Sequence, residues 1–286
     1  MQIDFCGVRG STPAPGIDFV RYGGHTSCLA LTHAGATAPS LILDAGAGLQ
    51  LVSGLLSGAP FAGTILLSHL HWDHVLGLPF FRAADRTDAR VSVLLPEQES
   101  GQEAASVLAG MMSPPYFPIG PTELQGNWTF ATIAPGERPI EDFTVLAREI
   151  PHKGGRTFGY RVSDGSSTLA YLPDHCPTAL GPGEDGFGEY HPAAIELVRS
   201  ADVLVHDAQL FPEELAAEAH FGHSVADYAV ELGRRAEVGS VVFFHHGHER
   251  TDGALDGLAD RFSEASPRVT VAAEGLTLDL GSGKPR

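Results

Sequence analysis

Four potential metal ligands are concentrated in the segment from Ser68 to Gly77, which reads Ser-His-Leu-His-Trp-Asp-His-Val-Leu-Gly. Three histidines and one aspartate occur within six residues, directly after the apolar run at positions 64–67. Neutral imidazoles and carboxylates are the ligands that zinc and similar divalent ions take in catalytic sites. Burying several unpaired polar rings beside a strand is unfavourable without a partner such as a metal. The segment therefore predicts a metal site rather than a histidine-rich polar loop.

The same local pattern recurs along the chain, where a short apolar, β-branched run ends and a polar side chain follows at once. Such runs, bounded by Gly, Pro and polar residues, are typical of buried strands. Polar groups gathered at the ends of several strands indicate a single rim that carries the site. The runs and the residues after them are 41–43 with Asp44, 64–67 with His69 to His74, 145–150 with His152, 168–172 with Asp174, 203–205 with His206 and Asp207, and 241–244 with His245 and His246.

Helices are predicted between these strands. Residues 97–112 are rich in Ala, Glu, Gln and Leu, and residues 192–199 open with Pro192 at a favoured first-turn position. Ser224, with Asp227 three residues on, predicts a helix cap, after which Val225, Ala229 and Leu232 fall on one face. We expect one domain over residues 1–280, with two packed sheets and helices outside, and a C-terminal tail at 281–286.

Composition indicates a globular protein. The chain has 286 residues, of which 43% are hydrophobic and 19% charged. It contains no apolar run of membrane-spanning length, and its start lacks the basic-then-apolar pattern of a signal peptide, so no membrane association is expected. Its three cysteines have no CxxC spacing and indicate neither a disulfide framework nor a zinc ribbon. A cytoplasmic location is the resulting expectation.

The charge balance bears on the substrate. With 18 basic and 35 acidic residues, the net charge is −17. Long nucleic acids are held largely by Lys and Arg, so the field of this chain should repel them. A bound metal pair would supply positive charge locally and admit a small anionic substrate. A second copy of the chain, forming a homodimer, is the other partner considered.

The motif His69-x-His71-x-Asp73-His74, followed by His152, Asp174 and a late-strand histidine, resembles the metallo-β-lactamase superfamily across essentially the whole chain. The resemblance implies an α+β fold, an αββα sandwich of two mixed β-sheets flanked by helices, with a dinuclear metal site at one sheet edge. It also implies two divalent ions, with zinc expected and manganese as the alternative. An oxygen-reactive diiron member would be expected to carry a carboxylate at position 71, so a redox role is disfavoured. By position, His69, His71 and His152 would hold one ion, Asp73, His74 and His245 the other, and Asp174 would bridge both.

Other segments are similar to the ribonuclease Z and phosphodiesterase branch. They are residues 7–13 (Gly-Val-Arg-Gly-Ser-Thr-Pro), 23–28 (Gly-Gly-His-Thr-Ser-Cys), 158–162, 201–208 and Gly222-His223-Ser224. Relatives often carry Asn where His25 stands. One feature departs from the branch: ribonuclease Z enzymes that clamp transfer RNA usually carry a long arm between the third and fourth metal motifs. Here His152 and Asp174 are only 22 positions apart, which leaves room for little more than a hairpin.

The resemblance also suggests catalytic roles. His223 and Asp207 take the positions of a carboxylate–imidazole pair, so His223 is the expected general acid and Asp207 its orienting partner, with Asp73 as the third catalytic residue. His223 could instead merely neighbour the helix cap. Lys153 and Arg156 could contact the phosphate or could be ordinary solvated charges of a loop. The motif alignment favours His245 over the adjacent His246 as the last ligand. The cluster Phe80, Phe81, Met111, Met112, Tyr116 and Phe117 could wall a base-stacking pocket or pack in the core.

Three functions are therefore compared. The first is a dinuclear metal-dependent phosphodiesterase that acts on small, cyclic-nucleotide-like substrates through a metal-bridging hydroxide. The second is a carboxyl-ester, thioester or lactone hydrolase that uses the same metal pair. The third, a non-catalytic metal-binding scaffold, is disfavoured because a full ligand set accompanies a candidate acid.

Overall fold

Two mixed β-sheets form the centre of the protein in a computed structural model that describes residues 1–99, 101–281 and 284–285. Within these residues, one sheet has eight strands in the order β15-β14-β1-β2-β3-β4-β5-β6, and the other has seven in the order β13-β12-β11-β10-β9-β8-β7. The strands are β1 Gln2–Gly7, β2 Cys28–Thr32, β3 Leu41–Leu43, β4 Ala62–Leu66, β5 Arg90–Pro96, β6 Asn127–Ile133, β7 Gly136–Ile140, β8 Phe143–Ile150, β9 Thr157–Ser163, β10 Thr168–Leu172, β11 Val203–Asp207, β12 Ser240–Phe244, β13 Arg268–Val271, β14 Thr277–Asp279 and β15 Lys284–Pro285.

Helices cover the outer faces of both sheets. They are α1 Leu49–Leu55, α2 Trp72–Val75, α3 Ala104–Ala109, α4 Pro192–Val198, α5 Leu215–Glu218, α6 Ala226–Arg235 and α7 Asp252–Arg261, with five short 3-10 turns between elements in the described chain. Leu49 and Val52 of α1 pack on the eight-stranded sheet, and Leu197, Leu232 and Leu255 of the other helices pack on the seven-stranded one. This is the αββα sandwich that the sequence motifs imply, and the predicted fold is confirmed.

The core explains why the central strands read as continuous apolar runs. Phe5, Leu29 and Leu43 of one sheet face Val162 and Val205 of the other in a buried cluster between the sheets. Strands β3-β4-β5-β6 and β10-β11-β12-β13 pair in parallel. Parallel strands covered on both faces need apolar side chains in both directions, so their sequences do not alternate.

The predicted strands lie where expected, but two details of the helices differ. The predicted helix at 97–112 shrinks to α3, because Gly101 adopts a left-handed φ of 65° and the residues before α3 form a loop; Ser100 lies outside the described residues. Helix α6 begins after Val225, and the Ser224 hydroxyl donates to the Val225 carbonyl instead of capping the helix. The predicted apolar face of α6, Val225, Ala229 and Leu232, is buried.

The C-terminal part continues the first sheet. Lys284–Pro285 pairs antiparallel with β14, while positions 282, 283 and 286 of the predicted tail lie outside the described residues. The boundary of the domain at residue 280 stays a prediction. Among the described helices, none combines the length and the apolar character that a membrane crossing requires.

Candidate active site

Seven side chains that follow four strand ends meet in two groups that share one aspartate. In each group, the potential ligand atoms all lie within 4.8 Å of one another. The first group is His69, His71, His152 and Asp174; the second is Asp73, His74, Asp174 and His245. These are the seven residues that the sequence motifs assign to two metal ions, and the structure places Asp174 in both groups.

Both sheets contribute to this arrangement. The chain leaves β4 of the first sheet at Leu66, passes His69 and His71, and turns into α2, whose first turn carries Asp73 and His74. The second sheet supplies the remainder from the ends of three strands: His152 after β8, Asp174 after β10 and His245 after β12. The rigid strands therefore fix where each side chain can reach.

Asp44, which follows β3, fixes two of the imidazoles. Its carboxylate accepts hydrogen bonds from His74 Nδ1 at 2.8 Å, from Ser68 Oγ at 2.8 Å and from Tyr171 Oη at 2.8 Å. Because the Ser68 hydroxyl donates to Asp44, its oxygen is free to accept from His69 Nδ1 at 3.0 Å. In the neutral form that binds a metal, both rings then carry their proton on Nδ1, which leaves an Nε2 lone pair facing the site.

His152 is oriented by a backbone carbonyl. Its Nδ1 donates to the Gly222 carbonyl at 2.6 Å, and its Nε2 lies 3.2 Å from His71 Nδ1. Gly222 has a left-handed φ of 101°, and a Cβ there would come within 2.8 Å of His152 Nδ1. A glycine at position 222 therefore lets the backbone approach the ring closely enough to fix its tautomer.

The converging imidazole nitrogens and carboxylate oxygens are all potential ligand atoms, so the residues fit a bound cation. His74 Nε2 lies 3.2 Å from His245 Nε2 and 3.0 Å from Asp174 Oδ1. His69 Nε2 and Asp174 Oδ1 are buried without a hydrogen-bond partner in the described structure. Such groups are stable together when a metal ion neutralises and coordinates them.

The pKa shifts reflect this concentration of charge. Burial alone would raise the pKa of the Asp73 and Asp174 carboxyls, but the neighbouring imidazoles hold both pKa values well below the usual range. Burial lowers the pKa of His74, yet the surrounding carboxylates raise it well above its ordinary value. Burial lowers the pKa of His152 to about 4, so this ring is neutral and available as a ligand.

His223 and Asp207 form a proton-donor pair beside the two groups. His223 Nδ1 lies 3.0 Å from Asp207 Oδ2, and both side chains are buried. Burial lowers the pKa of His223, but Asp207 more than compensates and raises the pKa to about 8. Asp207 and His223 also lie close enough to His245 to form a third potential ligand group. At neutral pH, an imidazolium with this partner can donate a proton to a departing oxygen.

A support behind Asp207 was not foreseen from the sequence. The backbone N–H of His175 donates to Asp207 Oδ2 at 3.1 Å. The His175 ring connects His206 and His191 in a chain of imidazoles at 2.9 Å each, and His206 Nδ1 donates to the Asp207 carbonyl at 2.7 Å. Burial lowers the pKa of all three rings, so the chain is neutral and holds the ends of β10 and β11 together.

The segment after β1 packs directly against the second metal group. The backbone N–H of Ser11 donates to Asp73 Oδ2 at 2.7 Å, and a side chain on Gly10 would collide with the His245 ring. Ser11, Asp44 and His245 all have positive φ angles, between 59° and 65°. Strained backbone of this kind gathers at functional sites because the surrounding contacts impose it.

A cavity of about 820 Å³ opens onto these groups. His71, Asp73 and His223 line it, together with two aromatic side chains, Trp72 and Phe221, that the sequence did not single out. None of the aromatic and methionine residues suggested as a pocket wall is among its lining residues: Phe80, Phe81, Met111, Met112, Tyr116 and Phe117. Phe81 and Met112 are buried in the core instead.

The remaining candidates belong to neither metal group. His246 Nε2 contacts the Ala272 carbonyl at 2.9 Å, whereas His245 joins the second group. Arg156 pairs with Glu149, and His25 pairs with Glu274. Lys153 Nζ lies 6.0 Å from the centre of the Phe221 ring, outside the residues that line the large cavity.

Comparisons with known proteins agree with this geometry. Residues 41–246 match the family model described as the beta-lactamase superfamily domain. A ribonuclease Z from Bradyrhizobium sp. is 28% identical over 247 residues, covering 72% of this chain and 79% of that protein. A ribonuclease Z from Lacticaseibacillus casei is 25% identical, covering 86% and 84%. The metallo-β-lactamase fold protein YhfI from Bacillus subtilis superposes with a TM-score of 0.68 at 16% identity, covering 97% and 99%.

Proposed function

This chain belongs to the beta-lactamase superfamily and is a metal-dependent hydrolase, and on that premise we propose that it hydrolyses phosphodiester bonds in small nucleotide-like substrates. The observation that carries the proposal is the buried His223–Asp207 pair, 3.0 Å apart, beside two groups that fit cations. The curated relatives reported above are named ribonucleases, enzymes that act on phosphodiesters, which supports phosphorus over carbon as the centre attacked.

The seven grouped side chains would hold two divalent ions. We assign His69, His71 and His152 to one ion, Asp73, His74 and His245 to the other, and Asp174 to both, with zinc as the expected metal and manganese as the alternative. When bound, such a pair supplies a deprotonated water at neutral pH and offsets the charge on phosphoryl oxygens.

The residues of this chain then have separate tasks. Asp44, Ser68 and the Gly222 carbonyl hold imidazole tautomers so that each lone pair faces the centre. Ser11 N–H holds the Asp73 carboxylate in place. Rings and carboxylates that cannot rotate keep the reacting groups aligned during the reaction.

His223 completes the reaction by protonating the leaving oxygen. Its Nδ1 is engaged by Asp207, and the ring lines the cavity, where its other nitrogen can reach a substrate. Asp207 stabilises the imidazolium and is itself fixed by the backbone N–H groups of His175 and Gln209. An alkoxide is a poor leaving group in water, so this proton contributes strongly to its departure.

Small substrates are favoured over long RNA. The chain between His152 and Asp174 contains only the β9–β10 hairpin, and the net charge is −17. Few phosphate contacts are then available to hold a long polyanion. A small phosphodiester needs only the cavity and the positive charge of the bound ions.

Hydrolysis of matched model substrates tests the proposal. The metal-loaded protein should cleave bis(p-nitrophenyl) phosphate and members of a panel of cyclic nucleotides, and do so faster than it cleaves p-nitrophenyl acetate or a lactone. Faster turnover of the ester or the lactone would instead support the carboxyl-ester and lactone hydrolase. Elemental analysis of the same preparation should find two ions per chain.

A further inference from the structure

Two exposed aromatic side chains line the cavity beside the metal groups. Trp72 is 74% exposed and Phe221 is 53% exposed, although large aromatic side chains usually bury most of their surface. Both line the same cavity as His71 and His223. A flat ligand ring that covers an exposed aromatic face removes apolar surface from water, and stacking of a base on such a ring contributes about 1–3 kcal/mol.

The charge of the cavity is unusual for a phosphate-binding enzyme. None of the described residues that line the cavity is Lys or Arg. Its lining instead includes three glutamates, Glu214, Glu218 and Glu249. Arg250 pairs with Glu214 and Glu249, but the Glu218 side chain has no ion pair or hydrogen bond within the described structure. Away from the metal groups, the described lining of the cavity is therefore acidic and offers an acceptor to N–H donors, while the Lys153 ammonium lies 6.0 Å from the centre of the Phe221 ring.

Glu218 and Phe221 lie in one short helical segment at the cavity. Helix α5 ends at Glu218 and runs directly into the 3-10 turn Ala219–Phe221. Residues three positions apart on a helical turn share a face. Glu218 therefore lies on the same side of this turn as the Phe221 ring, which also packs against His220 with ring centroids 4.1 Å apart.

We propose that the substrate is a singly charged phosphodiester of a guanine nucleoside, with the base held by Trp72, Phe221 and Glu218. This inference rests on the proposed phosphodiesterase function and names the substrate class of the same site. The phosphodiester lies at the metal groups, the base stacks on the aromatic rings, and the carboxylate accepts two parallel N–H groups. Guanine carries a ring N–H beside an exocyclic amine, which suits the two oxygens of a carboxylate. Hypoxanthine has only the ring N–H, and adenine has an amine with no adjacent ring N–H.

Kinetics on three related substrates tests the assignment. We compare kcat/KM for the 3′,5′-cyclic nucleotides of guanine, hypoxanthine and adenine, and expect guanine to exceed adenine by about tenfold or more, as hydrogen bonds to a charged acceptor allow. Glu218→Gln should reduce that ratio by about tenfold, because the amide accepts only one N–H and directs its own donors at the base. The matched control Glu213→Gln removes the same charge from a nearby exposed residue that does not line the cavity, and it should keep the ratio.

Substitutions of Trp72 test whether the base stacks on this side chain. Trp72→Ala should raise KM for all three nucleotides by about tenfold with a smaller change in kcat, since stacking acts on the bound base. Trp72→Phe should restore most of the affinity because it keeps an aromatic face. Loss of affinity in both variants alike would assign Trp72 a structural role and remove it from the base site.

Binding measurements separate this inference from the proposed function. In the metal-loaded His223→Ala variant, titration calorimetry should give a lower Kd for the guanine nucleotide than for the adenine one. If bis(p-nitrophenyl) phosphate is hydrolysed but Kd and kcat/KM show no preference for guanine, or the preference survives in Glu218→Gln, the base assignment is overturned and the phosphodiesterase stands. If guanine binds preferentially and no phosphodiester is cleaved, the base site stands and the phosphodiesterase is overturned.

Discussion

For three of the five ligand histidines, the hydrogen-bond partner of the outer ring nitrogen decides which nitrogen faces the centre. Asp44 engages His74, Ser68 engages His69, and the Gly222 carbonyl engages His152. Asp44 and Gly222 lie in other loops than the histidines they engage, whereas Ser68 directly precedes His69 and is itself held by Asp44. Groups of this kind typically change metal affinity about 10–100-fold when they are removed.

Loss of one ligand should empty part of the site. In His71→Ala, the first group keeps only His69, His152 and Asp174, so we expect the metal content to fall from about two ions to about one, with nearly all activity lost. Elemental analysis after gel filtration measures this. His33→Ala, at a histidine outside both groups, serves as the control. Full occupancy in His71→Ala would remove this residue from the ligand set.

The role of His223 should depend on the leaving group. His223→Ala should keep its metals and bind substrate but turn over about 10²–10⁴-fold more slowly when the leaving oxygen is a ribose alkoxide. The loss should shrink for p-nitrophenolate, which departs without a proton. Asp207→Asn should show the same pattern more mildly, since the ring stays in place behind a weaker partner. Equal losses on both substrates would point to a defect in metal binding or folding.

The pH dependence of kcat provides an independent test of the proton that His223 donates to the leaving oxygen. The protonated form of His223 is the active one, so kcat on an alkoxide-releasing substrate should fall as the pH rises through its pKa. That pKa is about 8 without metals, and nearby cations lower it, so the midpoint of the alkaline limb should lie at or below about 8. The limb should disappear in His223→Ala. An alkaline limb that persists unchanged in the variant would assign it to another group.

At the scale of elements, the site depends on close backbone approach as much as on side chains. The turn Ala219–Phe221 delivers Gly222 to His152, and the segment after β1 delivers Ser11 to Asp73. Neither turn carries a metal ligand. Both turns nevertheless determine where the ligands point.

Gly222→Ala tests this dependence. A Cβ at position 222 would come within 2.8 Å of His152 Nδ1 at a φ of 101°, so we expect about 1–2 kcal/mol of lost stability from the backbone and a metal affinity about 10–100-fold weaker. Gly165→Ala is the matched control, because Gly165 has a φ of 85° and open space around it. It should lose similar stability in thermal unfolding and keep its metals. Equal metal affinities in the two variants would show that Gly222 serves only the turn.

The sequence predicts the part of this site that local patterns mark, and it does not predict the part that depends on tertiary packing. The ligands after β4 are contiguous, and the other strand ends are marked by apolar runs, so the rim could be inferred from residues such as His69, Asp174 and His245. Asp44 is placed at this rim by the sequence, but its role is not, because its partners Ser68, His74 and Tyr171 are 24, 30 and 127 positions away. Trp72 and Phe221 were missed because exposure at a cavity is set by tertiary packing, whereas Phe81 and Met112 of the suggested wall are drawn into the core.

At the scale of the whole molecule, charge and architecture act together. The two sheets bring ligands from distant segments to one rim, and the chain as a whole carries a net charge of −17. Positive charge is thus expected mainly from bound ions. A long anionic substrate is therefore repelled by the overall charge of the chain.

The protein should therefore fail to process precursor transfer RNA at physiological salt. The described chain has only a hairpin between His152 and Asp174, and no described Lys or Arg lines the cavity, so few phosphates would be neutralised on binding. Cleavage of a labelled precursor by the metal-loaded protein measures this, with the Bradyrhizobium ribonuclease Z as the positive control and bis(p-nitrophenyl) phosphate confirming that the preparation is active. Binding that appears only at low salt, without cleavage at the 3′ end, would be the non-specific electrostatic kind and agrees with the prediction. Accurate 3′ cleavage would contradict it and would place RNA contacts on a surface outside the cavity.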